Sequence, residues 1–458
     1  MESLIDDHSQ TSAGHGPGGP AFDRRREQLV LFILAAVQFA TIVDFMIVMP
    51  LGPQLMRTLS IDPAEFSWIV SSYTFAAGAA GFVASAIVDR FPRRTTFMVL
   101  YAGFLLGTLL CAVAPTYLTL VAARVATGAF GGILGGLSMT IVGDVFPEER
   151  RGRATGSLMS GFALASIAGV PFGLFLGTNY GWHVPFVVLA LGGVPTLLLT
   201  PYAMPPLAAH VHRPGGNPLQ AALGMFVDAT HLRAFALTIA LTVGGFTVFP
   251  YISTYFVANV GMTEQELPLI YIAGGVLSLV ASPIIGKLAD RYGKLRMYRI
   301  IAPLSALFLL LITHLPPVPS LVAVVLFGSL MVSNVGRMIA AMAMITGSVE
   351  PRRRGGFMSA NSSIQHIASG LGASLGGAII AESADGRLEH FGIVGWIAAV
   401  ATLTTLWLAG RVGSHQVAPA TAASISLEAA AEASADSGEA MIAAVECETE
   451  TTVNRSGS

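Results

Sequence analysis

The chain has 458 residues, of which 53% are hydrophobic and only 11% are charged, and its net charge is −2. Soluble domains carry roughly 25% charged residues, so this composition, with a mean hydropathy of +0.68, excludes an ordinary soluble protein. The near-neutral charge argues against a nucleic-acid partner. The two cysteines, Cys111 and Cys447, cannot build a disulfide framework or a thiolate metal site, and we predict no metal and no other cofactor.

Twelve apolar segments are long enough to cross a bilayer, which takes roughly 20 residues each. In the first half of the chain they lie at 29–51, 66–88, 96–114, 117–142, 155–177 and 184–204. In the second half they lie at 233–257, 266–288, 299–315, 319–347, 357–381 and 391–411. These segments predict an all-α polytopic membrane protein built from two six-helix bundles, at 27–204 and 233–411.

Three further segments lie outside the predicted bundles. Residues 1–26 lack the apolar core and cleavage site of a secretory signal, so we expect the first apolar helix to stay in the membrane. Residues 1–26 and 412–458 offer little to bury and are predicted to be disordered. Residues 205–232 are rich in Pro, His and Gly, with an amphipathic stretch at Pro218–Leu232. We interpret them as a cytoplasmic linker, either with a helix on the membrane surface or as a plain tether.

The basic residues test this topology independently, because lysine and arginine favour cytoplasmic loops. With the N-terminus inside, all 25 Lys and Arg residues lie on the cytoplasmic side except four. Arg57 and Arg387 lie outside, and Arg124 and Arg337 lie within spans. An odd number of spans would destroy this segregation in one half. We therefore predict a multi-pass protein of the plasma membrane with both termini in the cytoplasm.

The loop that follows the second span of each half carries the same kind of sequence. It reads SAIVDRFPRR at 85–94 and GKLADRYGK at 286–294. Other landmarks recur at nearly the same offset: Asp89 and Asp290 are 201 residues apart, Gly152 and Gly355 are 203 apart, and Pro50 and Pro250 are 200 apart. One shared offset indicates a duplicated six-helix unit.

These loops resemble the signature G-x-L-x-D-R-x-G-R/K-R/K of the major facilitator superfamily, although Ser85 and Pro92 stand where glycines are usual. The resemblance implies a transporter that works by alternating access. It also implies a gating role for Asp89, Arg90, Arg93, Gly286, Asp290, Arg291 and Gly293. An aspartate at a helix end can accept charge-assisted hydrogen bonds that form in one state and break in another. The alternative is that the basic residues only fix the topology by their charge.

The fourth and fifth spans resemble a branch of the same superfamily. Arg124 and Gly128 match its R-x-x-x-G pattern. The glycines and proline of the fifth span are similar to the signature of exporters that work as antiporters. Its central residues are Gly169, Pro171 and Gly173. The resemblance implies a drug or metabolite exporter near the arabinose-efflux permeases. The alternative is that small residues merely allow tight helix packing.

Asp44 is the only acidic residue well inside a predicted span, and burying such a charge costs at least ~2.5–3.5 kcal/mol. Asp44 and Arg124 are each about seven residues from the outer ends of their helices, so both lie ~10 Å below the outer surface. The resemblance implies that both spans line a central cavity, so the equal depth allows the two residues to pair. Such a pair is either a proton-coupling or cation-recognition site or a static link between two helices.

The second half holds Arg337 and His366, at a shared depth nearer the cytoplasm. Arg337 either binds a polar or anionic substrate in a central cavity or neutralises a carbonyl or helix end. His366 could titrate near neutral pH or be a hydrogen-bonded packing residue. Neither residue belongs to a cluster with metal-ligand spacing.

These features together predict proton-coupled export of small lipophilic or weakly polar compounds. The expected partners are a small-molecule substrate, protons and the lipid bilayer, for a chain that is monomeric. No phosphate-binding G-x-x-x-x-G-K-S/T loop is present, and no nucleophile and base suggest an enzyme. The alternatives are an importing symporter or facilitator and a membrane sensor without transport.

Overall fold

A computed structural model describes residues 24–204, 228–350 and 354–412. Almost all of the predicted tails and most of the predicted linker lie outside the described residues. Two predicted boundaries are about one turn too late, because residues 24–26 and 229–232 already belong to the first helix of each half. The described part of the predicted surface helix, at 229–232, is therefore the start of a membrane helix.

The first half consists of helices joined by short turns. They are α1 (Arg24–Ile47), α2 (Gly52–Leu59), α3 (Pro63–Ile87), α4 (Arg93–Ala112), α5 (Tyr117–Val145), α6 (Glu148–Leu164), α7 (Val170–Tyr180) and α8 (His183–Ala203). A 3-10 turn at Val88–Arg90 follows α3. A π-helical segment at Ala165–Gly169 joins α6 to α7.

The second half repeats this arrangement. Its helices are α9 (Ala229–Phe246), α10 (Ile252–Tyr255), α11 (Leu267–Tyr292), α12 (Lys294–Thr313), α13 (Ser320–Gly347), α14 (Arg354–Ile379) and α15 (Phe391–Ala409). A 3-10 turn at Phe249–Tyr251 precedes α10, a π segment at Phe256–Val260 follows it, and a 3-10 turn at Glu264–Glu266 precedes α11. The short strands β1 (Ala381–Glu382) and β2 (Leu388–Glu389) pair antiparallel, a hairpin that the all-α prediction missed.

Each of the twelve predicted spans overlaps a helix or a pair of consecutive helices. Ten helices in the described part of the chain are long and apolar enough to cross a membrane. The helices of the fifth and eleventh predicted spans are not among these ten. The fifth is divided by the π segment, and the eleventh, α14, carries a polar run from Asn361 to His366. The count of twelve spanning helices therefore remains a prediction.

Local sequence signals set several helix ends. The Asp62 carboxylate accepts a hydrogen bond from the Glu65 backbone N–H, and the Glu65 carboxylate accepts one from the Asp62 N–H, which forms a capping box at the start of α3. Gly293 ends α11 with a φ of +95°. Only glycine adopts that region readily, so Gly293 allows the tight turn between α11 and α12.

The two halves are closed together at one end. We call the end where α1 begins and α15 ends the N-terminal side, and the other end the opposite side. On the opposite side a single apolar cluster contains residues of both halves, including Leu51, Phe66 and Tyr251. On the N-terminal side each half has its own cluster, one containing Phe97 and the other Phe357. Apolar packing therefore joins the halves mainly on the opposite side.

Glycines bring the helices close together at several crossings. A Cβ atom at Gly128 of α5 would overlap the backbone carbonyl oxygen of Tyr73 in α3. Between the halves, a Cβ at Gly78 of α3 would lie 2.9 Å from the backbone carbonyl oxygen of Ser363 in α14. Backbone atoms cannot move aside as a flexible side chain can, so these crossings require glycine.

This packing predicts that Gly128→Ala weakens the fold, because the added methyl group must displace the backbone of α3. Overpacking of this kind costs about 1–3 kcal/mol. The measurement is the thermal unfolding midpoint of the detergent-solubilised protein. Gly136→Ala on the same helix is the control, since nothing lies within 4 Å of its added Cβ. Equal midpoints for the two variants would contradict the packing described here.

Candidate functional site: a buried ion pair in the first half

Asp44 of α1 and Arg124 of α5 form an ion pair inside the first half. Arg124 Nη1 donates to Asp44 Oδ2 at 2.7 Å and lies 3.3 Å from the Asp44 carbonyl oxygen. Both side chains are completely buried, with exposed fractions of 0%. The structure therefore contains the pair that the equal depth of the two residues allowed.

Two other helices complete the surroundings of this pair. The Thr108 hydroxyl of α4 donates to Asp44 Oδ1 at 3.1 Å. The Arg124 guanidinium stacks on the ring of Tyr73 in α3, 4.4 Å from its centroid, a cation–π contact. The Cys111 thiol lies beside the guanidinium and 3.7 Å from the Thr127 hydroxyl. Four helices thus meet at one charged site.

The polar atoms of Asp44 have more hydrogen-bond partners than those of Arg124. Each Asp44 carboxylate oxygen has a partner, whereas Arg124 Nε and Nη2 are buried and make no hydrogen bond with any residue that the structure describes. Two buried charges need each other, because removing one leaves the other uncompensated in an apolar interior. A proton on Asp44 would cancel one charge of the pair and weaken its hold on Arg124.

Arg337 and His366 are not brought together by any contact found among the described residues. Arg337 donates to the Thr402 hydroxyl of α15 at 2.6 Å and to Asn334 Oδ1 of its own helix at 2.9 Å. It is only 1% exposed, and its contacts lie within the second half. The half-buried His366 of α14 accepts a hydrogen bond from Ser369 at its backbone carbonyl. Sequence reasoning missed the neighbouring bond from the Thr238 hydroxyl to Asn361 Oδ1, at 2.7 Å.

The loop residues of the first repeat make their contacts within the first half. Arg93 Nε lies 3.2 Å from Asp144 Oδ2, which ties the start of α4 to the end of α5. Arg90 is exposed on the 3-10 turn, and the side chain of Asp89 lies outside the described part of the chain. Sequence reasoning missed a second ion pair on this side, in which Arg150 binds both carboxylate oxygens of Glu27, at 2.6 and 3.1 Å.

The second repeat loop differs from the first. Asp290 is exposed, and Arg291 stacks on the ring of its neighbour Tyr292, 5.4 Å from the centroid. Gly293 provides the turn described above. A Cβ at Gly286 would have nothing within 4 Å, so in this conformation Gly286 makes no close helix approach.

The glycines of the fifth predicted span face the helix that carries Asp44. A Cβ at Gly169 would overlap Val43, and one at Gly173 would lie 2.9 Å from Ile47. Pro171 is buried and is the second residue of α7, which begins directly after the π segment. Proline cannot donate a backbone hydrogen bond, and π segments are frequent at functional sites. The glycine face of α7 is therefore a packing surface for α1, next to a local irregularity.

An ion pair that sequence reasoning did not find joins the halves on the opposite side. Arg57 Nη1 at the end of α2 lies 2.5 Å from Glu264 Oε1 in the 3-10 turn before α11. The hydrogen bond from Arg57 to Glu264 and the carboxylate charge raise the pKa of the guanidinium. The available signal was that Arg57 is one of only two basic residues predicted outside.

Comparison with known proteins agrees with this architecture. The sequence pattern of the Major Facilitator Superfamily matches residues 34–336 and, in a second match, residues 234–437. The chain belongs to the Major Facilitator Superfamily. It is therefore a transporter rather than an enzyme, with a small-molecule substrate and a place in the membrane.

Three relatives of this transporter share about a quarter of their aligned residues with it. It is 23% identical over 381 residues to the uncharacterised transporter YceJ of Bacillus subtilis strain 168, covering 82% of this chain and 95% of that one. It is 25% identical over 373 residues to the inner membrane transport protein YdhP of Escherichia coli K12, covering 79% and 91%. It is 24% identical over 263 residues to a chloramphenicol resistance protein of Streptomyces lividans, covering 57% and 67%.

A solved structure shares the fold of the transporter. It is a bacterial homologue of the human lysosomal transporter Spinster in an inward-facing, unoccupied conformation. The TM-score is 0.64 at 14% sequence identity, and the match covers 85% of this chain and 95% of that one. The likeness confirms the fold.

Because the pair is buried, we predict that substitutions of Asp44 and Arg124 have strongly non-additive effects on the free energy of unfolding. Asp44→Asn and Arg124→Gln should each destabilise the transporter by roughly 3–5 kcal/mol, because each leaves a buried group unpaired. The double variant should lose less than the sum of the two. The measurement is chemical unfolding in mixed micelles. The more exposed pair of Glu27 and Arg150 is the control, with a coupling of at most about 1 kcal/mol; additive losses at the buried pair would refute the coupling.

The ion pair between the halves predicts a charge-reversal effect. Arg57→Glu and Glu264→Arg should each weaken the closure on the opposite side, and the double variant should restore it. Because Arg57 is 65% exposed, the effect should be modest, up to about fivefold in the population of open molecules. The measurement is the distance distribution between spin labels at the exposed positions Thr116 and Glu389. If the distance distribution of the double variant is as wide as those of the single variants, the ion pair does not hold the opposite side closed.

Proposed function

We propose that this transporter exports small lipophilic or weakly polar compounds in exchange for protons, with Asp44 as the proton carrier. The observation that carries the proposal is the Asp44–Arg124 pair, the only ion pair among the described residues in which both side chains are completely buried. A buried carboxylate can lose its charge by taking up a proton, which an aliphatic packing residue cannot do.

The proposed mechanism couples that proton to the positions of the helices. When Asp44 is ionised, it holds Arg124 and joins α1 to α5. A proton on Asp44 cancels the attraction, and α1 can then shift along the glycine face of α7. The free Nε and Nη2 atoms of Arg124 can bind an acceptor group of the substrate while Asp44 is protonated. Proton and substrate therefore use the site in turn, as exchange requires.

The proposed orientation places the N-terminal side in the cytoplasm of a bacterial cell. The excess of lysine and arginine in the loops on that side supports it, as does the name of the Escherichia coli relative, an inner membrane transport protein. Closure on the opposite side then faces the outside. In this conformation the transporter would receive a substrate from the cytoplasm, the first step of export.

The substrate class rests on the surroundings of the site. Apart from the hydroxyl and thiol groups already described, the packing next to the ion pair is aromatic, with Phe45 stacked on Tyr73 at 5.4 Å and next to Phe246 of the second half at 5.9 Å. Such walls favour apolar compounds with few polar groups. The name of one relative, a chloramphenicol resistance protein, makes chloramphenicol a suitable first probe.

Transport by purified protein in liposomes tests the proposal. With an inward proton gradient, radiolabelled chloramphenicol should move against the proton flow in the wild type. In Asp44→Asn the gradient-driven flux should be at least tenfold lower than in the wild type, because the asparagine amide cannot carry a proton. Asp228→Asn is the control, since Asp228 is an exposed helix cap and asparagine caps equally well.

Each other outcome counts against a different part of the proposal. Flux that ignores the gradient would indicate a facilitator, and flux along the proton flow would indicate an importing symporter. Retained coupling in Asp44→Asn would remove the role of that residue. No flux of chloramphenicol or of any other compound in a lipophilic panel would favour a sensor without transport.

A further inference from the structure

A groove on the outer surface of the first half is separate from the ion-pair site. It lies between α3, α4 and α5 and encloses about 470 Å³. Its lining includes Val83, Phe91 and Val99, which are 58%, 53% and 61% exposed. Because α4 packs on α5 and α8 of its own half, the groove opens sideways toward the lipid and not between the halves.

Small residues create this space. Ala80, Ala84 and Ala129 line the groove where larger side chains would fill it. The ring of Phe130 forms one wall and packs over Gly103, where a Cβ would lie 2.7 Å from the ring. The groove is thus a built feature of the helix packing.

The lining is suited to a hydrocarbon chain. Of its residues only Thr95 and Thr96 carry a polar group, and the Thr96 hydroxyl already donates to the Pro92 carbonyl at 3.1 Å. At about 30 Å³ for a group the size of a water molecule, the groove has room for roughly fifteen methylene-sized groups. That is close to one acyl chain.

An exposed arginine lies beside one end of the groove. The groove reaches Val88 and Phe91, which lie on either side of the 3-10 turn residue Arg90, and Arg90 is exposed. Val99, further along the groove, lies six residues into α4, or roughly 9 Å at 1.5 Å per residue. This fits within one leaflet, half of a hydrocarbon core of about 30 Å.

We propose that the groove binds one anionic phospholipid of the cytoplasmic leaflet, with an acyl chain along Val83 and Val99 and the phosphate at Arg90. The placement rests on the proposed orientation and not on proton exchange. Anionic lipids give the cytoplasmic leaflet a negative surface potential, and basic pockets between helices on that side bind their headgroups. The lipid would bridge α3 and α4 beside the first repeat loop, which gives Arg90 a role besides its effect on topology.

Photolabelling of the full-length protein tests this site. The probes are phosphatidylglycerol and phosphatidylcholine, each with a diazirine in one acyl chain, in liposomes of fixed composition. Phosphatidylglycerol should label α3, α4 and α5 around the groove more strongly than phosphatidylcholine does. Arg90→Gln should lower that preference about fivefold, the change expected for one basic residue worth ~1 kcal/mol at the surface. Arg25→Gln, exposed on the same side, should leave it unchanged.

A second variant tests the groove itself. Val83→Trp should fill the space and reduce labelling of its walls by both lipids, whereas Val322→Trp on the lipid-exposed face of α13 should not. Gel filtration confirms that both variants fold. Equal labelling by the two lipids, or labelling spread evenly over all lipid-facing helices, would show ordinary boundary lipid and overturn the proposal. Loss of labelling on addition of chloramphenicol would instead identify a substrate path and would also overturn it. Since no readout depends on transport, the result is independent of the proposed exchange.

Discussion

The rest of this structure depends on the cost of keeping Asp44 and Arg124 charged in an apolar interior. Neither residue is stable there alone, and side chains from four helices of the first half surround the pair. Thr108 supplies a hydroxyl to the carboxylate, and Tyr73 supplies a ring face to the guanidinium. The α1 helix that carries Asp44 also packs on the glycine face of α7. A change in the charge of the Asp44 carboxyl group therefore changes the forces on a helix that contacts several others.

Among the described residues of the second half no buried ion pair matches this site, although the helices follow the same plan. Gly244 stands 200 residues after Asp44, and Phe327 stands 203 residues after Arg124. Phe327 is fully buried and packs edge-on against Tyr271, with the ring centroids 5.3 Å apart. The second half therefore fills that depth with apolar packing and places its own buried arginine, Arg337, elsewhere. Duplication determines the fold, and the departures from it give the first half its chemistry.

The helices and the repeat could be predicted because each depends on composition or spacing along the chain. Apolar length predicts a span, whereas the equal depth of Asp44 and Arg124 allowed a pair without showing that the two side chains meet. The Arg57–Glu264 pair could not be found in this way. The two residues are 207 positions apart in sequence, and their contact depends on how the two halves pack against each other. The neutral partners of Arg337 were missed for the same reason, because a span's sequence does not reveal which neighbour its polar face meets. The lateral groove depends on alanines whose effect appears only when three helices are packed.

The central claim is that Asp44 takes up and releases a proton within the working pH range of the transporter. Infrared difference spectra of the protein in lipid, recorded over a pH titration, measure this directly, since a protonated carboxyl group has a carbonyl stretch that a carboxylate lacks. We predict a band that appears as the pH falls, is absent in Asp44→Asn and persists in Asp144→Asn, whose carboxylate is partly exposed. Spectra in which Asp44→Asn removes no titrating band would show that Asp44 stays in one protonation state, and the pair would then be a static link between helices.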